Sequence, residues 1–246
     1  MQKDHKFNHH AKCEKLSLTN LTFADDVLLF SIGDQKSVEM MLDTSKKFSE
    51  STNLIVNPNK PKIYYGGIND ITKGSLINMT CFEEGHIPVR YLGVPLSRKK
   101  LSMNHYLPLV ERIMGRVNYW TTKLLSIACR TQLVKSISHS IAQYWMKYFL
   151  IPKMVIQKID FICRSFIWTG NSKISRKYPV AWKKTCSPIK QGGFNVINFE
   201  VWNTVTLLKC LWNLCRKVDS MWVMWIHVYY LKGKDVMNAD ISSNSF

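Results

Sequence analysis

Residues 18–30 read LTNLTFADDVLLF, and this stretch decides the fold of the first part of the chain. Two adjacent carboxylates, Asp25 and Asp26, lie between two apolar segments rich in strand-forming residues. The pattern predicts a tight β-hairpin with strands over residues 16–23 and 27–32 and both acids at its tip. Acids on a rigid turn suit a divalent metal for phosphoryl transfer, but Asp is also common in hairpin turns for backbone reasons alone. The hairpin by itself leaves both interpretations open.

Short strands and helices alternate from this hairpin up to residue 96. The pattern predicts a helix capped by Asp34 or Ser37, a strand over 62–65, a helix over 69–79 and a strand pair around Gly93. Beyond Ser97, apolar residues recur at helical spacing over residues 107–120, 125–148, from Pro152 onward, 199–216 and 220–231. We therefore predict an α+β fold in which a half-built sheet domain precedes a mainly helical remainder.

The charge balance indicates a polyanionic partner. The 246 residues include 34 Lys and Arg against 17 Asp and Glu, a formal charge of +17, while 46% apolar residues indicate a globular chain. An excess of this size is most simply explained by nucleic acid as partner. Solubility, or contact with a larger assembly, is the alternative.

Cysteine usage and hydropathy indicate an intracellular protein, in the nucleus or the cytoplasm. The seven cysteines are odd in number and form no CxxC motif, as expected of a reduced chain. His9, His10 and Cys13 lack a second ligand pair at finger spacing, so zinc is disfavoured. We expect no signal peptide, because residues 1–20 are polar and basic, and no membrane partner, because the apolar run 221–231 is too short to cross a bilayer.

Several motifs in order carry a family resemblance. Residues 21–30 resemble the metal-binding palm hairpin of reverse transcriptases from plant non-long-terminal-repeat retrotransposons. VNPNKPK at 56–62 looks like the next palm motif, and PVRYLGVPL at 88–96 looks like the primer grip that follows it. Residues 119–136 resemble the family's thumb helices, and Ala181-Trp182 with QGGF at 191–194 resembles its post-thumb region. The likeness covers about residues 13–235.

The resemblance implies a domain order and a reaction. Residues 1–96 would be the C-terminal part of a polymerase palm, 97–170 a helical thumb and 171–246 a helical post-thumb extension. The parent activity would be an RNA-directed DNA polymerase that uses Mg²⁺, an RNA template and a DNA primer in two-metal nucleotidyl transfer. Asp25 is then the expected catalytic metal ligand, and Asp26 is its supporting neighbour.

Other positions take expected roles from the same motifs. A lysine near the nucleotide phosphates would be Lys60 or Lys62, and a solvated lysine beside a turn is the alternative. Tyr91-Leu92-Gly93 would hold the primer, unless it is an ordinary strand turn. The basic residues expected to follow a nucleic-acid backbone, or else to form a solvated face, are Arg112, Arg116, Lys123, Arg130 and Lys135. The eight tryptophans mostly fall on apolar helical stripes, which favours core packing over base stacking.

The resemblance also implies an incomplete catalytic centre. Family members use a further palm aspartate and fingers residues that lie N-terminal of this hairpin, whereas 22 residues precede Phe23 here. We therefore expect a fragment that is inactive alone or needs a missing N-terminal polymerase half as its partner, and catalysis by this chain stays open. The rival function is a non-catalytic basic RNA- or DNA-binding module, and a third is an interaction domain without nucleic-acid affinity. A partial sheet should also make residues 1–96 less stable than the helices.

Overall fold

The computed structural model describes residues 7–54, 61–97, 99–121, 124–171 and 178–239. Helices with small two-stranded sheets confirm the α+β fold class. The chain forms two compact units: Met1–Arg98 together with Asp219–Ser245, and Lys99–Val218. The first unit therefore takes its residues from both ends of the sequence. This grouping joins residues 219–245 to the first segment, whereas the sequence order suggests three consecutive segments.

The first unit contains the strands. Its elements are β1 Asn20–Phe23, β2 Asp26–Leu29, α1 Gln35–Thr52, β3 Lys62–Ile63, α2 Asp70–Thr80, β4 Glu83–Glu84, β5 Val89–Tyr91 and β6 Val94–Leu96. β1 pairs with β2 and β5 with β6 in antiparallel hairpins, while β3 and β4 form a short parallel pair. Both predicted hairpins are confirmed. Strand β4 has no counterpart in the sequence prediction, because a two-residue strand carries no readable period.

Cap chemistry sets where α1 begins. The Asp34 carboxylate accepts a hydrogen bond from the Ser37 backbone N–H at 3.0 Å, so Asp34 is the N-cap. Ser37 instead lies buried within the helix, and its Oγ accepts from the Asn8 N–H at 3.0 Å. The choice between the two caps is thereby resolved, and Ser37 ties the N-terminal segment to α1.

The end of the described chain completes the first unit. Helix α9, Met221–Ile226, continues as a π-helical turn over His227–Leu231. The Trp225 indole donates to the Lys12 carbonyl at 2.7 Å, and the Tyr229 hydroxyl accepts from the Lys15 N–H at 2.8 Å. The Lys12 ammonium lies 3.0 Å from the Tyr230 hydroxyl. These contacts explain why residues 219–245 group with the N-terminal segment.

The second unit is helical and holds most of the buried apolar side chains described. Its α-helices are α3 Leu107–Thr121, α4 Ile127–Leu133, α5 His139–Met146, α6 Lys153–Thr169, α7 Trp182–Thr185 and α8 Phe199–Cys215. The predicted helix over 125–148 is thus split, because a π-helical turn at Val134–Ser138 separates α4 from α5. Helix α6 lies at the centre and packs against α3, α4 and α8. Ile159, Cys163 and Ile167 on α6 are fully buried.

The tryptophans divide between the core and the surface. Trp120 and Trp145 are buried, as the apolar stripes predict. Trp202, Trp212 and Trp222 are exposed, and Trp212 keeps 61% of its accessible surface. The prediction of core packing is wrong for these three, because α8 and α9 are apolar around most of their circumference and a stripe does not identify the buried face. No described helix is both long and apolar enough to cross a bilayer.

Candidate metal and nucleic-acid sites

The β1–β2 turn presents the two acids to solvent. Ala24 and Asp25 form a two-residue turn, and Asp26 opens β2 directly opposite Phe23. Ala24 has φ of 48°, a conformation that costs an L-residue roughly 1–2 kcal/mol. Backbone strain of this kind concentrates at functional sites. The turn therefore carries the acids on a short, strained connection, as the sequence predicts for the tip of the hairpin.

The number of carboxylates at the turn limits which metal ion it can bind. Asp25 and Asp26 offer two adjacent carboxylates, which is enough for one Mg²⁺ that keeps waters and takes phosphate oxygens from a substrate. Among the residues with described positions, no group of three or more His, Cys, Asp or Glu side chains lies close enough to share a metal ion. The described donors therefore do not form a two-metal clamp, and an Mg²⁺ ion held by Asp25 and Asp26 would take its other ligands from water or substrate.

The second hairpin has an equally constrained turn. Leu92 and Gly93 connect β5 to β6 with φ of 49° and 83°, the two positive values that a type I′ turn requires. Tyr91 pairs with Val94 across the hairpin, and its side chain is half-buried. Positive φ at Leu92 is unusual, because bulky side chains rarely adopt it. The predicted primer-holding residues thus lie together on one tight turn.

Of the two predicted phosphate-binding lysines, only one lies among the described residues. Lys60 lies outside the described residues. Lys62 opens β3, and its ammonium lies 3.6 Å from the Glu83 carboxylate on the paired strand β4. Both side chains of this ion pair are exposed, so the pair contributes little to stability and leaves the lysine accessible.

Two predicted backbone-binding arginines share a face of α3. Arg112 and Arg116 are exposed and four residues apart, so they lie one above the other. The opposite face is the buried one, with Leu109, Ile113 and Val117 in the core. Lys123 lies outside the described residues, and Lys135 is half-buried on the π-helical turn. The exposed α3 face is therefore the part of the predicted basic surface that the structure brings together.

Arg130 serves a structural role whatever else it contacts. Its Nε donates to the Leu125 carbonyl at 2.9 Å, and its Nη1 donates to the Ile167 carbonyl at 3.1 Å and reaches the Phe166 carbonyl at 3.5 Å. A cation near the C-terminal carbonyls of a helix is favourable, so the guanidinium stabilises the end of α6. A direct nucleic-acid contact by Arg130 stays a prediction.

Sequence reasoning missed a polar cluster between α6 and α7. Burial raises the pKa of Asp160 to about 7, the Trp182 indole and Arg164 guanidinium lower it, and the Glu200 carboxylate raises it slightly. The indole nitrogen nevertheless makes no hydrogen bond of normal geometry, and neither does Asp160 Oδ1. Burial, with the charge of Asp160, also raises the pKa of the Cys186 thiol to about 12.

The sequence signal for this cluster is weak. Asp160 and Arg164 are spaced as an ordinary surface ion pair along a helix. Among the side chains with described positions, however, they form no salt bridge within 4.0 Å, and Asp160 Oδ1 and Arg164 Nε are buried without a hydrogen bond of normal geometry. Only the fold shows that α7 covers them.

Comparison with known proteins gives one distant relative and no match to any family model. The chain is 28% identical over 141 residues to an Arabidopsis thaliana protein named "Putative ribonuclease H protein". The matched stretch covers 57% of this chain and 23% of that protein, so the chain spans less than a quarter of its relative.

Proposed function

We propose that this chain is the C-terminal palm, thumb and post-thumb part of a reverse transcriptase of the plant non-long-terminal-repeat retrotransposon type, and that it binds nucleic acid. One observation carries the proposal: a strained two-residue turn presents Asp25 and Asp26 to solvent on a β-hairpin. The second tight hairpin at 89–96, the exposed arginines of α3 and the charge of +17 support it. The distant relative is named as a putative ribonuclease H protein, and that name denotes a protein that acts on nucleic acid.

Exposed apolar side chains on the first hairpin agree with this proposal. Phe23 points to one face and Val27 to the other, and they keep 61% and 52% of their accessible surface. A strand pair that is apolar on both faces is typical of a sheet covered on both sides. In a polymerase palm, further strands and helices would cover these side chains.

Metal binding tests the role of the acids. Titration of the chain with Mn²⁺, in the presence of primer–template duplex and a deoxynucleotide, is followed by electron paramagnetic resonance. We expect the double variant Asp25→Asn with Asp26→Asn to bind fewer Mn²⁺ ions per chain. The matched control, Asp43→Asn with Glu50→Gln, removes the same charge from exposed positions on α1 and should bind as many as the parent chain. Equal binding by both variants would contradict the metal role.

Primer extension tests catalysis by this chain alone. Because the described donors do not fit a two-metal clamp, we expect no templated DNA synthesis from an RNA template with Mg²⁺. Templated product that disappears in Asp25→Ala would show a complete centre and overturn this expectation.

The second candidate function, a non-catalytic nucleic-acid-binding module, is favoured by the exposed pair Arg112 and Arg116. It predicts salt-dependent duplex binding that survives loss of both acids. Replacing both arginines with Ala should flatten the slope of log affinity against log salt by about 1 to 2, since each phosphate contact contributes about 0.7–0.9. Lys190→Ala with Lys209→Ala removes the same charge from other exposed positions and should leave the slope closer to the parent value. Absence of binding at low salt would instead favour an interaction domain.

A further inference from the structure

Helix α8 carries a second apolar face that its own unit does not bury. Phe199 marks the first face and is buried in the helical unit together with Asn203. On the opposite side of the helix, four apolar side chains keep between 48% and 61% of their accessible surface. Contiguous exposed apolar surface of this kind marks contacts with other proteins. The four residues, called here the α8 seam, are Val201, Val205, Leu208 and Trp212.

The spacing of the α8 seam is that of a helix-pairing surface. Its residues follow one another at intervals of four, three and four positions. This alternation is the one by which coiled-coil helices place their core side chains. Trp202 and Leu211 lie exposed at the two edges of the seam and widen it. Because α8 has 17 residues and is about 25 Å long, a second helix can pack along the whole seam.

We propose that the α8 seam pairs with the α8 seam of a second copy of this chain, with the two helices antiparallel. In the antiparallel register with the longest overlap, Trp212 meets Val201 of the second copy, and Val205 meets Leu208 of the second copy. Each layer then joins a larger side chain to a smaller one, which is the arrangement that fills a helix interface evenly. The same contacts recur about a two-fold axis, as in most homodimers.

Parallel pairing fits the same side chains less well. Each residue would meet its own counterpart, so two Trp212 side chains would crowd one layer while two Val205 side chains would underfill another. Lys209, which is exposed beside the seam, would lie near Thr204 of the second copy. In the antiparallel register the Lys209 ammonium instead comes next to the Trp202 indole of the second copy, and a cation over an indole face is attractive.

The area of the seam sets the strength of the pairing. The exposed fractions of its two valines and of the two leucines and two tryptophans of the seam and its edges amount to about one whole side chain of each type per chain. Covering them on both copies removes roughly 500–1,000 Å² of apolar surface from water. Stable complexes bury about 1,200–2,000 Å², so we expect a weak, reversible dimer with a dissociation constant of roughly 10–500 μM.

The net charge determines how this dimer responds to salt. Each chain carries a formal charge of +17, so two copies repel each other, and salt screens that repulsion. Pairing through the apolar seam should therefore strengthen between about 0.1 and 0.5 M NaCl. Association bridged by nucleic acid, or contact with an acidic partner, weakens over the same range. The sign of the salt effect thus separates a second copy from these other occupants of the seam.

Sedimentation velocity of the nuclease-treated full chain tests the pairing. The weight-average mass should rise from one chain toward two as the concentration increases from about 1 to 300 μM, and the rise should be larger at high salt. Leu208→Glu places a charge in the seam at an exposed position and should weaken association at least tenfold. Ile71→Glu makes the same change at an exposed position on α2 and should leave association unchanged. A parent chain that stays single at every concentration and at both salts would overturn the proposal, and so would equal association of the parent chain and Leu208→Glu.

Mixing two variants tests the antiparallel arrangement. Val205→Glu and Leu208→Lys should each fail to pair alone, because each places a charge against an apolar side chain of the second copy. Their equimolar mixture should regain the dimer, because antiparallel packing sets the new carboxylate against the new ammonium and keeps the other central layer apolar. Parallel packing would leave both charges without a partner. A mixture that stays monomeric under conditions in which the parent chain pairs would overturn the antiparallel seam.

Discussion

At the scale of single residues, the backbone strain at the tip of the first hairpin can be relieved without changing the side chains of Asp25 and Asp26. Ala24 has positive φ, and glycine adopts this region at no steric cost. We expect Ala24→Gly to stabilise the first hairpin by about 0.5–1 kcal/mol, because the relieved strain exceeds the added backbone entropy. Hydrogen exchange at the β2 amides measures it.

The control substitution is expected to destabilise its element, whereas Ala24→Gly stabilises the hairpin. Ala128 lies exposed in the first turn of α4, where glycine costs up to about 1 kcal/mol relative to alanine. Ala128→Gly should therefore lower protection in α4. Equal loss of protection at both sites would show that Ala24 is not strained.

Asp160 makes stability depend on pH. Its pKa is about 7 in the folded chain and near 3.9 when unfolded, so between these values the folded state holds a proton that the unfolded state has lost. The contribution of this group is therefore fully favourable below about pH 4, and falls as pH rises to about 7. We expect Asp160→Asn to stabilise the helical unit by about 1–3 kcal/mol at pH 8 and by little at pH 4.

Urea denaturation followed at several pH values measures this difference. Glu200→Gln changes the same net charge at an exposed position and should show no comparable pH dependence. A variant Asp160→Asn whose stability runs parallel to the parent chain at every pH would contradict the burial effect.

At the scale of elements, one buried amide fixes the connection between α5 and α6. Asn203 on α8 donates to the carbonyls of Met146 and Phe149 and accepts from the Ile151 N–H, at 2.8–3.0 Å. Because these backbone groups have no water to replace the lost partners, we expect Asn203→Ala to destabilise the helical unit by about 2–4 kcal/mol.

Two further variants sharpen this prediction. Asn203→Asp keeps the acceptor, loses both donors and buries a charge, so it should destabilise at least as much as Ala. Asn213→Ala, on the same helix but partly exposed, should change stability by less than about 0.5 kcal/mol. Denaturant titration of the three variants gives the comparison, and equal losses at positions 203 and 213 would rule out the bridging role.

The elements also show what the sequence could and could not predict. The hydrophobic periodicity and the cap residues of the sequence predict both hairpins and the long helices, because these signals are local. Asn203 reads as one more polar residue on a helix, and Asp160 reads as half of a surface ion pair. Their roles depend on which helices pack against them, and that information is spread over residues about 20 to 60 positions apart. The hydrogen bond between Lys15 and Tyr229 joins residues 214 positions apart, and no local sequence signal predicts it either.

At the scale of the whole molecule, the two units differ in how they are held together. The helical unit buries a continuous set of apolar side chains along α3, α5 and α6, whereas the hairpin of the first unit leaves Phe23 and Val27 exposed. Since burial supplies most of the stabilising free energy, we expect the strands of residues 20–29 and 89–96 to open more easily than α6.

Hydrogen exchange of the full chain, resolved by peptide, tests this. Amides of β1, β2, β5 and β6 should exchange at least tenfold faster than those in the middle of α6 when corrected for intrinsic rates. Comparable protection across both units would contradict the expectation that residues 1–96 are the weaker part.

The contacts of Lys12 and Lys15 with α9 have a consequence for synthesis. The ribosome releases Lys15 long before Tyr229, and at about 5–20 residues per second the 214 intervening positions take roughly 10–40 s. The helical unit is encoded wholly within that interval and can fold while the first unit still lacks its last helix. The protein is therefore completed in an order different from its reading order, and its first residues are among the last to reach their final partners.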